Sequence, residues 1–121
     1  MKVKIDTKEK MHVIKVEEAK LAANMTEDFK NTLLNYLKEP VKNVVINLED
    51  VEEMDEHSAR LLLSIEEAFY EANHSLVFCG LKPEVEKFLD EHELLELMNV
   101  TPTESEAWDI VQMEEIEREY L

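Results

Sequence analysis

Val44-Val45-Ile46-Asn47-Leu48, then Met54-Asp55, then Leu61-Leu62-Leu63-Ser64-Ile65-Glu66-Glu67-Ala68-Phe69, and finally Leu76-Val77-Phe78-Cys79-Gly80 make up the stretch whose reading decides the fold. The first run is continuously apolar and β-branched, which a strand covered on both faces requires. After Met54-Asp55 the apolar period changes to 3.6. Leu62, Ile65, Phe69 and Ala72 fall on one face, and Arg60, Ser64, Glu67, Glu71 and His74 on the opposite one, predicting a helix over about 57–73. Residues 76–79 form a second short apolar run that stops at Gly80. Strand, helix and strand in that order imply a right-handed crossover to a parallel neighbour, so the core is α/β.

Working outward, Val3 to Asp6 and Met11 to Val16 are β-prone runs separated by the polar Thr7-Lys8-Glu9-Lys10, and they read as a hairpin. Asn24 with Glu27 has capping-box spacing, and Met25, Phe29, Leu33, Tyr36 and Leu37 recur at helical spacing up to Pro40, predicting a helix over about 25–39. On the other side, Pro83 suits the first turn of a third helix carrying Val85, Phe88 and Leu89. Leu94, Leu95, Leu97 and Met98 lead into the extended stretch Asn99-Val100-Thr101. Thr103 and Glu106 again have capping-box spacing, and Ala107, Trp108 and Val111 give a fourth helix a core-facing stripe as far as about Arg118. The expected architecture is a central mixed β-sheet flanked by about four helices.

At 121 residues the chain is expected to form a single domain over 1–121, and 45% apolar residues supply its core without metals or disulfides. Asp and Glu number 29 against 13 Lys and Arg, a formal net charge of −16. Such a field repels phosphate backbones and anionic headgroups, so neither nucleic acid nor a membrane is an expected partner. The single glycine, Gly80, excludes a phosphate-cradling loop, which uses several. One cysteine makes no internal disulfide, the N-terminus has no continuous apolar stretch, and no apolar run approaches the ~18 residues that cross a bilayer. The expected location is cytoplasmic.

The order of these elements, with several local words, resembles the STAS domain found in anti-sigma factor antagonists and in the cytosolic tails of sulfate transporters. The words are Val44-Val45-Ile46-Asn47-Leu48 before Val51 and Met54-Asp55, Leu76-Val77-Phe78-Cys79-Gly80-Leu81 before Pro83, and Pro102-Thr103 before Glu106-Ala107-Trp108. The closing Met113-Glu114-Glu115-Ile116-Glu117-Arg118 is similar to the tail of short, stand-alone bacterial members. The resemblance implies a STAS-like fold and a partner-switching role. In that family an unphosphorylated antagonist docks on an anti-sigma factor with a kinase-type ATPase fold, and phosphorylation of a serine ends the contact.

The family's usual word at that place is Asp-Ser-Ser-Gly, and the ungapped match here is Asp55-Glu56-His57-Ser58. Asp55 is kept, Glu56 stands at the phosphorylatable serine, His57 at the second serine and Ser58 at the glycine. The resemblance therefore implies a docking surface that includes Asp55, Glu56, His57, Ser58 and Arg60, with no phosphorylation at the family position. Two readings of Glu56 stay open. An acidic residue in a first helical turn is stabilised by the positive end of the helix dipole. Alternatively it places a permanent negative charge where a phosphoserine would place nearly two. Ser58 is a displaced candidate phosphosite, about two residues round the helix, and is not favoured.

Other chemistry is not favoured. The pairs Glu17-Glu18, Glu52-Glu53, Glu66-Glu67 and Glu114-Glu115 read as solvated surface rather than convergent catalytic carboxylates. Cys79 reads as core packing, and His12, His57, His74 and His92 have neither Cys partners nor helical pairing, so no metal or cofactor site is expected. Ile116, Tyr120 and Leu121 are expected to pack within the monomer rather than in a dimer contact, leaving a monomer or weak dimer. No nucleophile, metal cluster or cofactor loop assembles, so the chain is not expected to be an enzyme. The leading expectation is an anti-sigma factor antagonist type protein acting on a protein partner, either a kinase-fold anti-sigma factor or a paralogous STAS protein. The alternative is a structural or scaffold subunit that homo- or hetero-oligomerises through the same fold without a switch.

Overall fold

The computed structural model describes residues 1–120. In chain order its strands are β1 (Val3–Thr7), β2 (Met11–Val16), β3 (Lys20–Leu21), β4 (Asn43–Asn47), β5 (Glu53–Met54), β6 (Leu76–Cys79) and β7 (Val100–Thr101); its α-helices are α1 (Ala23–Asn35), α2 (Glu56–Glu71), α3 (Pro83–Glu91) and α4 (Glu104–Tyr120). β1 and β2 form the expected antiparallel hairpin, with Val3 opposite Val16, and the Lys8 N–H donates to Met11 O at 2.8 Å to close its turn. From β2 onward every neighbour is parallel, in the order β1-β2-β4-β6-β7. β4 lies at the centre and every one of its residues is buried, as its unbroken apolar run requires.

The two faces of the sheet are covered unequally. Ile14, Val44, Ile46, Leu76 and Phe78 point to one side, where α1, α2 and α3 cover them with Phe29, Leu33, Leu62, Ile65, Phe69, Val85 and Leu89. Val13, Val45, Val77 and Cys79 point to the other, where α4 covers them with Ala107 and Val111. Alternation along each strand, at period two, sends successive side chains to these two layers. Burial pushes the Cys79 thiol up to about 12, as expected of a packing cysteine rather than a reactive one.

Turns that need positive φ are not left to Gly80 alone. Gly80 has φ +73°, and a Cβ there would lie 3.1 Å from Asn47 Oδ1. Asn73 (φ 62°) and Glu93 (φ 59°) take left-handed conformations after α2 and α3. The His74 N–H then donates back to Phe69 O at 2.9 Å and Leu94 N–H to Leu89 O at 2.8 Å, capping carbonyls that the helix ends leave free.

Several expectations are corrected. α1 starts after Ala22, which makes no side-chain cap, so Asn24 is not its N-cap. The donor at its start is satisfied from a distance, because Ala23 N–H donates to Asp55 Oδ2 at 3.0 Å. α1 also stops at Asn35 and passes into a 3-10 turn over Tyr36–Lys38. Ala72, placed on the apolar face of α2, is exposed beyond its end. Trp108 is only half-buried, with Lys8 Nζ 5.5 Å from its ring centre. Ile116 (56% exposed) and Tyr120 (79%) do not pack within the monomer; with Met113 (53%) they form an apolar stripe on the outer side of α4. Leu121 lies outside the described residues. No helix of the described residues is long and apolar enough to cross a membrane.

Candidate partner-docking site

The site is built where β5 hands the chain to α2. The two-residue ribbon of β3 and β5 pairs Leu21 with Met54 in parallel and brings the two segments together. The Asp55 N–H donates to Leu21 O at 3.1 Å, which fixes Asp55 in an extended conformation just before α2. Its Oδ1 accepts from the Ser58 N–H at 2.7 Å, the bond of an N-cap, while Oδ2 accepts from the Ala23 N–H. The hydrogen bonds from the Ser58 and Ala23 N–H groups hold the Asp55 carboxyl below its ordinary range.

Glu56 follows in the first turn of α2, exposed, where the helix dipole favours an anion. Its Oε2 accepts from Arg60 Nε at 2.8 Å, an i,i+4 pair, and its Oε1 lies 3.3 Å from His92 Nε2. The Arg60 hydrogen bond, with the Arg60 and His92 charges behind it, keeps the Glu56 carboxyl below its ordinary value. His57 points to α1, its Nε2 3.9 Å from Glu27 Oε1, and both side chains are open to solvent.

Asp55, Glu56, His57 and Arg60 thus share one exposed face around the start of α2. Ser58 does not. It is fully buried beneath that face, and its hydroxyl has no partner in hydrogen-bonding geometry. Residue 58 lies on the inward side because the helix turns about 100° per residue, carrying it away from 56 and 57 and towards Ala59 and Leu62. It can be neither a docking contact nor an accessible phosphosite in this state.

Sequence reasoning missed Glu27 and His92, which belong to α1 and to the cap of α3. His92 carried no usable signal: it stands 36 positions after Glu56, and only the packing of α3 beside α2 brings them together.

At the other end of α2 the acidic pairs also depart from expectation. Glu66 is buried (6% exposed), and its Oε1 accepts the Asn99 N–H at 2.6 Å. Burial, reinforced by Glu67 and Glu114, pushes its carboxyl up to about 7. Glu114 Oε1 accepts from Tyr70 OH at 2.8 Å and Ser75 Oγ at 2.6 Å, and Glu115 Oε1 accepts from Asn43 Nδ2 at 2.6 Å. Arg118 donates to Ser75 Oγ at 2.8 Å. Glu66 ties α2 to the segment before β7, and the α4 groups tie its last turns to α2 and to the N-terminal ends of β4 and β6, so Glu66, Glu114 and Glu115 have structural partners. A surface depression of about 570 Å³ beside them is lined by Tyr70, Asn73, Glu114, Glu117 and Arg118. Among the described residues, no three His, Cys, Asp or Glu side chains group so as to hold a metal ion.

The same architecture recurs in solved structures. The chain is similar to Moorella thermoacetica RsbS carrying a serine-to-glutamate substitution, at 25% identity and TM-score 0.76 over 93% of this chain and 96% of that one. It is similar in fold to an anti-sigma-factor antagonist (STAS) domain protein from Planctomyces limnophilus, at 19% identity and TM-score 0.77, covering 91% and 97% of the two chains. The anti-sigma factor antagonist SpoIIAA in its unphosphorylated form gives 19% identity and TM-score 0.72, covering 92% and 96%. No curated protein matches the chain by sequence. Residues 2–107 match the STAS domain, and the chain belongs to the STAS domain family.

Proposed function

We propose that the chain is a non-enzymatic, cytoplasmic partner-switching protein of the anti-sigma factor antagonist type, docking on a protein partner through the start of α2. The observation that carries this reading is the exposed carboxylate of Glu56, held by Arg60 on one oxygen directly after the N-cap Asp55. By its resemblance to the family word Asp-Ser-Ser-Gly, Glu56 stands in for the regulatory serine in this reading. A carboxylate there has no hydroxyl to accept a phosphoryl group, and it carries permanently about half the charge a phosphoserine would. The docking face consists of Asp55, Glu56, His57 and Arg60, and it lacks a phosphorylation site. That a serine-to-glutamate form of RsbS folds in the same way supports glutamate being tolerated in this architecture.

The expected partner is an anti-sigma factor with a kinase-type ATPase fold. Adding it to the isotopically labelled protein tests the reading: amide shifts should concentrate at residues 55–60 and the neighbouring turns. Shifts confined to the hairpin or to α4 contradict it.

A second reading, a scaffold subunit that assembles with itself or a paralogue, is favoured by the exposed Met113, Ile116 and Tyr120 on α4. Sedimentation of the protein before and after replacing these three with serine separates it from the first.

A further inference from the structure

Two histidines of this chain have oxygen atoms at both ring nitrogens, and they differ in what those oxygens are. His12 Nδ1 lies 2.9 Å from Thr7 Oγ1 and Nε2 lies 2.9 Å from Val41 O. A neutral ring satisfies both: Nε2–H donates to the carbonyl, and Nδ1 accepts from the threonine hydroxyl. His92 has no such solution. Its Nδ1 lies 2.9 Å from Phe88 O, an obligate acceptor, so the proton of a neutral ring belongs on Nδ1. Nε2 would then bring a lone pair close to Glu56 Oε1, 3.3 Å away and outside hydrogen-bonding alignment. That contact is attractive only when Nε2 also carries a proton, in the imidazolium form.

The ring is held between α3 and α2. His92 is the C-cap of α3, where the negative end of the helix dipole attracts a cation. The Phe88 ring, with centroids 4.3 Å apart, and the bond to Phe88 O hold the imidazole in place towards α2. The charged groups around it are Glu56 and Arg60 on α2, with Glu91 and Glu93 beside it in sequence. Arg60 already holds Oε2 of Glu56, so a protonated His92 brings a second cation to the same carboxylate from another helix.

We propose that His92 is a proton-operated clasp on Glu56. As imidazolium it holds Oε1 and offsets the charge at the start of α2; as a neutral ring it releases the carboxylate. Resting on the docking reading above, the consequence is that a partner repelled by Glu56 binds more tightly as the pH falls.

Two measurements on the full chain test it. First, without any partner, the side-chain carboxyl carbon resonance of Glu56 is followed from pH 5.5 to 8, in wild type and in His92→Gln. The clasp predicts a shift in the wild type that tracks the His92 ring resonances and is absent from the variant. A Glu56 resonance that stays flat over this range in the wild type overturns the clasp. Second, affinity for the kinase-fold partner is measured at both ends of the range, and the wild-type change is divided by that of His92→Gln to cancel the partner's own titration. A ratio of about two- to fivefold tighter binding at low pH is expected for one partly exposed ion pair. A ratio of one overturns the regulatory consequence. Absence of binding by wild type and Glu56→Ser alike counts against the docking reading instead, and the carboxyl titration still decides the clasp.

Discussion

The carboxylate of Asp55 joins the starts of two helices: one oxygen caps α2 at Ser58 N–H, and the other accepts from Ala23 N–H at the start of α1, 3.0 Å away and 32 residues earlier in the chain. A residue that would ordinarily serve one helix therefore also fixes the position of its neighbour. It explains why α1 has no cap of its own. It also makes the proposed docking face a property of two helices, since Glu27 on α1 faces His57 on α2 across the same junction.

Replacing Asp55 by Ala should therefore cost more than an ordinary lost cap, about 1–2 kcal/mol in a urea titration. The sign of the pH effect follows from its lowered pKa. Asp55 contributes stability above the pKa it has in the unfolded chain, and that contribution is lost as pH falls through its lower folded value. The difference between wild type and Asp55→Ala should thus be full near neutrality and shrink below about pH 4. A difference unchanged down to pH 2 would mean that the charge plays no part.

Glu66 has the opposite sign. Its folded pKa is raised to about 7, so the folded chain holds a proton that the unfolded chain releases near the ordinary carboxylate value. Its contribution is favourable below that ordinary value and is lost as pH rises towards 7. Glu66→Gln should be more stable than wild type at pH 8, by on the order of 1–3 kcal/mol, with little difference at pH 4.5. Thermal melts at both values check this. A variant less stable at pH 8 would show that the carboxylate bond to the Asn99 N–H outweighs the cost of burying its charge.

In the core, Phe69 is fully buried between α2 and the sheet, and truncation to Ala should cost about 3–5 kcal/mol. Trp108 is half-buried against the other face, so Trp108→Ala should cost clearly less. Denaturant midpoints of the two variants give the order; its reversal would mean that α4 carries more of the stability than its packing indicates.

Much of this was legible because it is written in local pattern. The unbroken runs at 44–46 and 76–79, the 3.6 period between them, and Asp55 before a helical run each state their own structure. The β3 and β5 ribbon was not legible, since two-residue strands have no periodicity to read. The resemblance implies a docking role for Ser58 through the ungapped match at the family's glycine, whereas the helical turn sends it inward. Glu66 reads as surface because a Glu-Glu pair in an acidic chain ordinarily is, and only the distant Asn99 N–H makes its burial tolerable. His92 meets Glu56 through tertiary packing alone.

In the proposed function, Glu56 acts as a standing negative charge in place of the family's regulatory serine. Calorimetry of the wild type and Glu56→Ser against a kinase-fold anti-sigma partner tests it most directly. Weak binding by the wild type is expected, with a gain of roughly tenfold or more in the variant, as a charge is removed from the contact and a neutral hydroxyl supplied. Tight binding by the wild type that Glu56→Ser weakens would contradict it, and would make Glu56 a direct contact with the partner rather than a stand-in for phosphate.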